Sequence, residues 1–545
     1  MTTTSTRARV ARTGFVALLL AGASSAALAQ TPDAPAPSAA DARIAQLEAE
    51  VQQLADEVQD LKRGQAEQIK TIATVEKSVP AAPSAIVSIG NGKPTIATAD
   101  GKFSATLHGI MQLDTAYYDQ RSPGPTSSDF RRSGPAIGGS TSNVEAAHAR
   151  DLKNGDLFRR ARVGIDGVAF GDWDYRFIFD FGGSGVENAG QVYETWVQYS
   201  GLKPFHFRVG AFSPSIGLDD QASTNGMPFL ERAVSSDIAR GLAAGDTRTA
   251  AEIWASGDHW LVSGAVTGRT IGVVNTGTPT GTAQTFGDQL GFVGRVAGTP
   301  FYGKDWLVHF GVHGSYVDKP ADTAGPAITG ITPSGVVAFS NTPELRVDGT
   351  KLINTGNIPA KSAYTVGAEF AAQKQNFLLQ AEYDDFGVDR SDGQSNPNFH
   401  GYYVSGTWVL TGEARKYNSQ TGAFDAPSVA HPFSLSKGGL GAWELGVRYS
   451  DMDLNYHQGA AGTYVPTTAN SIIRGGDEQN ITAGLNWYLN PVVRFMFDYS
   501  HVKIDRLSPG TSANNVSTWL LPSGKPGVQI GQTYDVFSVR SQVAF

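Results

Sequence analysis

The stretch Phe158-Arg159-Arg160-Ala161-Arg162-Val163-Gly164-Ile165-Asp166-Gly167-Val168-Ala169-Phe170 decides the architecture. Successive side chains of an extended strand point to opposite faces. Ala161, Val163 and Ile165 therefore share one face, and Arg160, Arg162 and Asp166 share the other. The pattern recurs along the chain. Tyr175, Phe177 and Phe179 oppose Asp174, Arg176 and Asp180; Phe205, Phe207 and Val209 oppose His206 and Arg208; Val493, Phe495, Phe497 and Tyr499 oppose Arg494 and Asp498. A charge facing lipid near mid-bilayer costs roughly 2–4 kcal/mol. If these segments cross a membrane, the charged faces must line an interior.

From Lys102 onward the chain divides into sixteen such segments, near 102–118, 157–170, 173–181, 190–200, 204–212, 248–257, 259–269, 288–300, 306–317, 362–374, 376–387, 399–410, 441–454, 478–489, 492–505 and 532–545. Their connections alternate in length. Gly171-Asp172, Gly257-Asp258 and Leu489-Asn490-Pro491 are short, whereas 119–156, 213–247, 318–361 and 506–531 are long. Residues 411–440 break this rule, being long where a short turn is due. Short turns at one end and long loops at the other mark a membrane barrel. A soluble sandwich would alternate too, but it would not combine sixteen aromatic-faced segments with a secretory leader. An even strand count puts both chain ends on the periplasmic side.

The leader is residues 1–29. Arg7, Arg9 and Arg12 precede a short apolar stretch from Phe15, and Ala27-Leu28-Ala29 forms an A-x-A cleavage site. Its Ala/Ser-rich core is too short for the competing reading, a membrane anchor. Pro/Ala-rich residues 30–40 read as a flexible spacer. Over 41–79, Ile44, Leu47, Val51, Leu54, Val58, Leu61, Ile72, Val75 and Val79 fall at three- and four-residue spacings. They make a narrow helical seam, interrupted by Gln65 and Gln68 and opened by Asp41 as N-cap. The seam suits an oligomeric coiled coil; the alternative is one helix packed back on the barrel. Pro80 and Pro83 end it, 80–101 is a linker, and 102–545 is the barrel. The expected fold is all-β: a 16-stranded antiparallel transmembrane β-barrel with an N-terminal periplasmic α-helical coiled-coil segment.

Composition agrees. The chain has 63 glycines, 10% aromatic residues and no cysteine, and a closed barrel needs no disulfides because its ladder has no edge. No run of about 20 apolar residues follows the leader, which argues against membrane helices. The net charge of −8 gives no support for a nucleic-acid partner.

The lumenal faces carry Arg160, Arg162, Arg176, Arg208, Arg248, Arg295, Arg448 and Arg494, together with acids such as Asp166, Asp180, Glu252, Glu369 and Glu444. These charges either pair and stiffen the wall or offer oxyanions a row of sites. Arg160 and Arg162 lie about 7 Å apart on one face, where they repel by about 2.4 kcal/mol at an effective dielectric of about 20. Carboxylates or a transient anion must offset that. A guanidinium fork gives an oxyanion two parallel hydrogen bonds.

Several motifs resemble the phosphate-selective porin O/P family. They are Leu157-Phe-Arg-Arg-Ala-Arg-Val-Gly164, Gly171-Asp-Trp-Asp-Tyr175, Val209-Gly-Ala-Phe212, Leu352-Ile-Asn-Thr-Gly-Asn357, Leu410-Thr-Gly-Glu-Ala-Arg415, Gly441-Ala-Trp-Glu-Leu445 and Leu485-Asn-Trp-Tyr-Leu-Asn-Pro491, in that order. The terminal strand ending in Phe545 is similar to the outer-membrane assembly signal. The resemblance implies a homotrimer of sixteen-stranded pores in the outer-membrane bilayer. It also implies an anion track that includes Arg159 and Arg160, narrowed by an inward third loop, here Ser213 to Thr247. That loop holds Arg232 and Arg240 but no lysine, beside Asp219, Asp220, Glu231, Asp237 and Asp246.

The expected function is passive diffusion of small solutes through an arginine-lined pore, anions such as phosphate or polyphosphate above all. A general non-selective porin and an envelope tether, touching the cell wall through the coiled coil, are the alternatives. No cofactor is expected. His309 and His313, at i and i+4 on a strand, stand about 13 Å apart, too far to share one metal, so no metal site is expected. The chain has no Gly-x-Ser-x-Gly elbow, His-Glu-x-x-His or P-loop, and no enzymatic activity is expected.

Overall fold

A computed structural model describes residues 39–78, 85–90, 92–120, 152–182, 190–245, 247–270, 289–321, 335–460, 472–507 and 531–545. The leader, most of the spacer and Asp246 lie outside these residues. Two compact units divide the chain at residues 82 and 83. In the first, α1 spans Ala39–Ser78, and its seam residues Ile44, Leu47, Val51, Leu54, Val58 and Leu61 are all exposed.

Among the described residues of the second unit, sixteen antiparallel strands form a closed ring. They are β1 (Ser104–Gln120), β2 (Gly155–Ala169), β3 (Trp173–Asp180), β4 (Gln191–Tyr199), β5 (Phe205–Phe212), β6 (Arg248–Ser256), β7 (Trp260–Thr270) and β8 (Leu290–Tyr302). Then come β9 (Trp306–Lys319), β10 (Ile358–Lys374), β11 (Phe377–Arg390), β12 (Asn398–Val409), β13 (Ala442–Tyr456), β14 (Ile473–Tyr488), β15 (Val493–Asp505) and β16 (Thr533–Ala544). β16 closes on β1 from Tyr534↔Gln120 to Ala544↔Ile110. The seam continues one residue further. Gly109 and Phe545 exchange backbone hydrogen bonds of 3.0 and 2.9 Å, and a Cβ at Gly109 would lie 2.4 Å from the Phe545 ring. Glycine is what lets the terminal ring lie against the wall.

Every expected strand is present, though several run longer. β10 starts at Ile358 and β14 at Ile473, four and five residues early. The extra residues belong to the long-loop end, where the outer face no longer meets hydrocarbon and need not alternate. The opposite end turns tightly; at 170–172 the chain reverses through Phe170 (φ 55°) and Gly171 (φ 83°). Part of the expected linker is ordered as a hairpin, Ala85–Gly90 with Lys93–Thr98, whose second strand pairs with β1.

Outward residues form the expected bands. Val163, Ile165, Val209, Ile253, Val296, Val366, Val447 and Ile481 are exposed in the middle. Trp173, Trp260, Trp306 and Trp408 ring the short-turn end, and Tyr117, Tyr316, Tyr364 and Phe537 lie toward the other. Such rings sit at headgroup depth.

The lumen is fuller than alternation suggests. Among the described residues, three segments fold into it. The first is 213–247, with α2 (Leu218–Gln221) and α3 (Val234–Ala243). The second is 335–357. The third is the exceptional connection 411–440, whose hairpin (Arg415–Asn418 with Ala423–Pro427) enters from the short-turn end. Ile216, Leu230, Val234 and Ile238 of the first segment pack with Phe339, Leu345 and Ile353 of the second. They cover inward-facing Phe386, Phe399, Met452, Leu454 and Val502. This part of the interior is a hydrophobic core, not a wet wall.

The two faces can be tested directly. Val447→Arg, in the middle of the outward band, should lower the unfolding free energy in lipid vesicles by roughly 2–4 kcal/mol. Urea titration measures it, and an unchanged value would place Val447 away from lipid.

Candidate conduction pathway

The bulge in β2 shapes one wall. Gln112 pairs with Arg160 and Leu113 with Phe158, leaving Arg159 unpaired between them. A bulge re-aims a side chain. Arg159 and Arg160, adjacent in sequence, consequently both face inward, as Arg162 does.

Their target is Glu231 in the inward loop. Arg159 donates to its two oxygens at 2.5 and 3.0 Å, Arg540 donates at 3.0 Å, and Arg160 stands 3.9 Å away. Burial alone would raise the Glu231 carboxyl. The charges of Arg159, Arg160 and Arg540 outweigh it and hold the group well below the usual carboxylate range. Arg540 also forks onto Asp114 at 2.6 and 2.7 Å and donates to the Leu230 carbonyl at 2.5 Å.

Other inward arginines act as clamps as well. Arg448 pairs with Glu344 of segment 335–357 and donates to the Glu231 carbonyl at 2.9 Å. Arg494 donates to the Met227 carbonyl at 2.8 Å. Arg295 forks onto Glu369 at 2.8 and 2.7 Å and reaches the Thr421 and Gly422 carbonyls of the hairpin at 2.6 and 2.9 Å. Arg415 ties that hairpin to Glu444 and to the Gly226 carbonyl. Arg248 links the end of the inward loop to β7, donating to the Gly241 and Gly268 carbonyls. These guanidinium groups are buried, so the expectation of one continuous arginine row divides here.

Against β1–β7 a cavity of 720 Å³ lies open. Arg162, Arg176 and Arg208 of the wall and Arg232 and Arg240 of the loop line it. Arg162 sits 3.3 Å from the Tyr193 ring centre, and Arg176 and Arg208 lie 5.4 and 4.6 Å from that of Trp196. An aromatic face fixes a guanidinium plane without consuming its N–H donors. Carboxylates flank them: Asp180 on Arg162 at 2.7 Å, Glu194 on Arg176 at 3.1 Å, Glu252 on Arg208 at 3.5 Å and Asp220 on Arg240 at 2.5 Å. In each of the last three pairs the cation is the more open partner. The exposures are 34% against 17%, 22% against 4%, and 12% against 2%.

Sequence reasoning placed Arg159, Arg160, Arg248, Arg295, Arg448 and Arg494 beside a solute; the loops cover them. It missed Trp196, Tyr193 and the hairpin residues Asn418, Gln420 and Thr421, which also line the cavity. Trp196 follows the alternation of β4 and could have been read as lumenal. The hairpin could not, because its position depends on Arg415 and Arg295 finding distant partners.

A closed antiparallel ring, an apolar band between aromatic girdles and a loop-narrowed charged interior define an outer-membrane porin. The chain belongs to the family described as phosphate-selective porin O and P, whose sequence profile matches residues 137–521. It is 25% identical over 433 residues to Porin O of Pseudomonas aeruginosa, spanning 78% of this chain and 88% of that one. It is likewise 25% identical over 504 residues to an uncharacterized protein of Caulobacter vibrioides, spanning 91% and 92% of the two chains. Among solved structures it is similar to the trimer form of OmpT from Vibrio cholerae, at 13% identity and a TM-score of 0.42 over 81% of this chain and 99% of that one.

Glu231→Gln keeps the shape and removes the charge three arginines share. Breaking a buried ionic network by one partner costs about 3–5 kcal/mol, so urea stability should fall by that order. The pH dependence has a fixed sign. The folded carboxyl lies below its ordinary value of 4.5, so its contribution is complete above that pH and is lost as pH falls toward the folded value. The variant should lose this acid sensitivity.

Proposed function

We propose that small anions, phosphate or polyphosphate among them, diffuse through the cavity along Arg162, Arg176, Arg208, Arg232 and Arg240. The supporting observation is the exposure asymmetry. Six basic side chains and six carboxylates line the space, so net charge alone selects nothing. In three ion pairs the carboxylate sits behind its cation: Asp220 and Glu252 are buried and Glu194 is half as exposed as Arg176, while Arg176, Arg208 and Arg240 reach forward. A passing oxyanion meets guanidinium edges first. Each site is partly neutralised by its own acid, which weakens binding, and a pore needs sites weak enough to leave.

The reading is tested with purified protein in planar bilayers. A salt gradient should give an anion-selective reversal potential, and added phosphate should reduce the chloride current. Arg176→Glu with Arg208→Glu should shift the reversal potential toward cations. If that double variant keeps the wild-type potential, the protein is a general porin whose arginines only stiffen the wall.

The exposed seam of α1 supports a second element of the proposal: three copies pair through it in a trimer of this protein. Burying one leucine contributes about 1.5–3 kcal/mol. Leu47→Glu with Leu54→Glu should therefore lower the temperature at which trimers dissociate, with single-channel conductance unchanged. Unaltered trimers together with lost attachment to the cell wall would assign the helix to tethering instead.

A further inference from the structure

We propose that His313, Glu369 and Glu382 form a site for a divalent transition metal of the zinc class, fastening the root of the inward loop to the barrel wall. The three residues come from neighbouring strands β9, β10 and β11. Glu369 pairs in register with Glu382, and His313 with Gly367, which in turn pairs with Asp384. One donor atom from each of the three lies within 4.8 Å of the other two, and all three residues are buried.

Two glycines make the space. A Cβ at Gly311 would stand 2.6 Å from Glu369 Oε2, and one at Gly367 would stand 2.2 Å from His313 Nε2. A side chain at either position would displace these groups from where they stand.

The histidine is oriented as a ligand. Its Nε2 lies 2.9 Å from Asp384 Oδ1, leaving Nδ1 aimed at Glu369 Oε1 at 2.9 Å. A metal-bound histidine characteristically gives its other N–H to a carboxylate, which fixes its tautomer. The second oxygen of Asp384 is buried without a hydrogen-bond partner, although the residue is only 1% exposed.

Charge points the same way. Glu369, Glu382 and Asp384 bring three carboxylates into one buried site. Arg295 supplies one guanidinium to Glu369. Like charges directly opposite in a sheet are destabilising, and Glu369 faces Glu382. Protonating His313 would cancel one of the two remaining negative charges; a dication cancels both. One imidazole and two carboxylates, with a position left for water, suit zinc and its borderline neighbours. His309 is not a ligand in this arrangement. It touches the outer oxygen of Glu369 at 3.1 Å and the Tyr417 hydroxyl at 3.0 Å, linking the site to the hairpin.

The site would also hold the loop. Glu382 accepts the N–H groups of Leu218 and Asp219 at 2.5 and 2.8 Å. Metal there fixes the carboxylate on which the loop turns into the lumen. This inference is independent of which solute the pore carries.

The test uses the full-length folded barrel, stripped with chelator and then dialysed against zinc chloride. Elemental analysis should find one zinc per chain, and thermal unfolding should shift upward. Cobalt in its place should give visible d–d absorption of a low-symmetry N/O site. His313→Gln should lower zinc retention at least tenfold, and Asp384→Asn should weaken affinity 10–100-fold, each with the barrel still folded. Where Glu382→Gln fails to fold, these two variants carry the test. Absence of stoichiometric zinc in the wild type, or equal retention by His313→Gln, would overturn the proposal.

Discussion

In hydrocarbon a backbone N–H or C=O has no water to turn to, and each one left unpaired costs several kcal/mol. The closure of β16 on β1 answers that constraint, and the rest of the molecule depends on it. Once the ladder has no edge, every strand residue is either outside or inside, and the strict period of two follows. Valine and isoleucine go to lipid because charge there is costly. Arginine and glutamate go inside because nothing else is left to them. The glycine at 109 and the phenylalanine at 545 are the local solution that completes the last register.

Closure leaves the inner charges with a second problem. A large barrel filled by three folded segments is no longer a water-lined tube, and a charge beneath those segments has lost its solvent. Such a charge must be paired and hydrogen-bonded. Glu231, Glu344, Glu369 and Glu444 are placed to meet guanidinium groups of the wall or the hairpin. Arg448, Arg494 and Arg540 also donate to loop carbonyls, so the network that neutralises charge is the same one that fixes the constriction. Both the outer loop and the hairpin from the short-turn end are therefore held by charge-assisted bonds to the wall.

This explains what could be read from sequence. The strands were legible because each carries its own evidence: Phe495 and Phe497 against Arg494 and Asp498 settle β15 without reference to any neighbour. The inward facing of Arg160, Arg162, Arg176 and Arg208 followed from the same rule. Arg159 did not, since a bulge depends on how β1 and β2 register, and strict alternation sends it outward. The family likeness selected it where periodicity could not. Nor could periodicity distinguish a lumenal arginine that faces water from one beneath a loop, because Arg208 and Arg295 occupy equivalent strand positions. The difference lies in residues 415–427, whose length looked anomalous but whose destination was set by pairings with Glu444 and Arg295.

One residue type thus serves two purposes, and cover decides which. Where loop 213–247 and the hairpin lie over the wall, an arginine becomes a strut. Where they stand away, across β2 to β6, it keeps an open edge toward the cavity. Aromatic neighbours support the second state, since Tyr193 and Trp196 fix the guanidinium planes of Arg162 and Arg208 while each also pairs with a carboxylate. An anion path in this protein is accordingly a property of the space the loops leave, and not of the arginine count. Lumenal arginines elsewhere in the barrel are committed to keeping that space in shape.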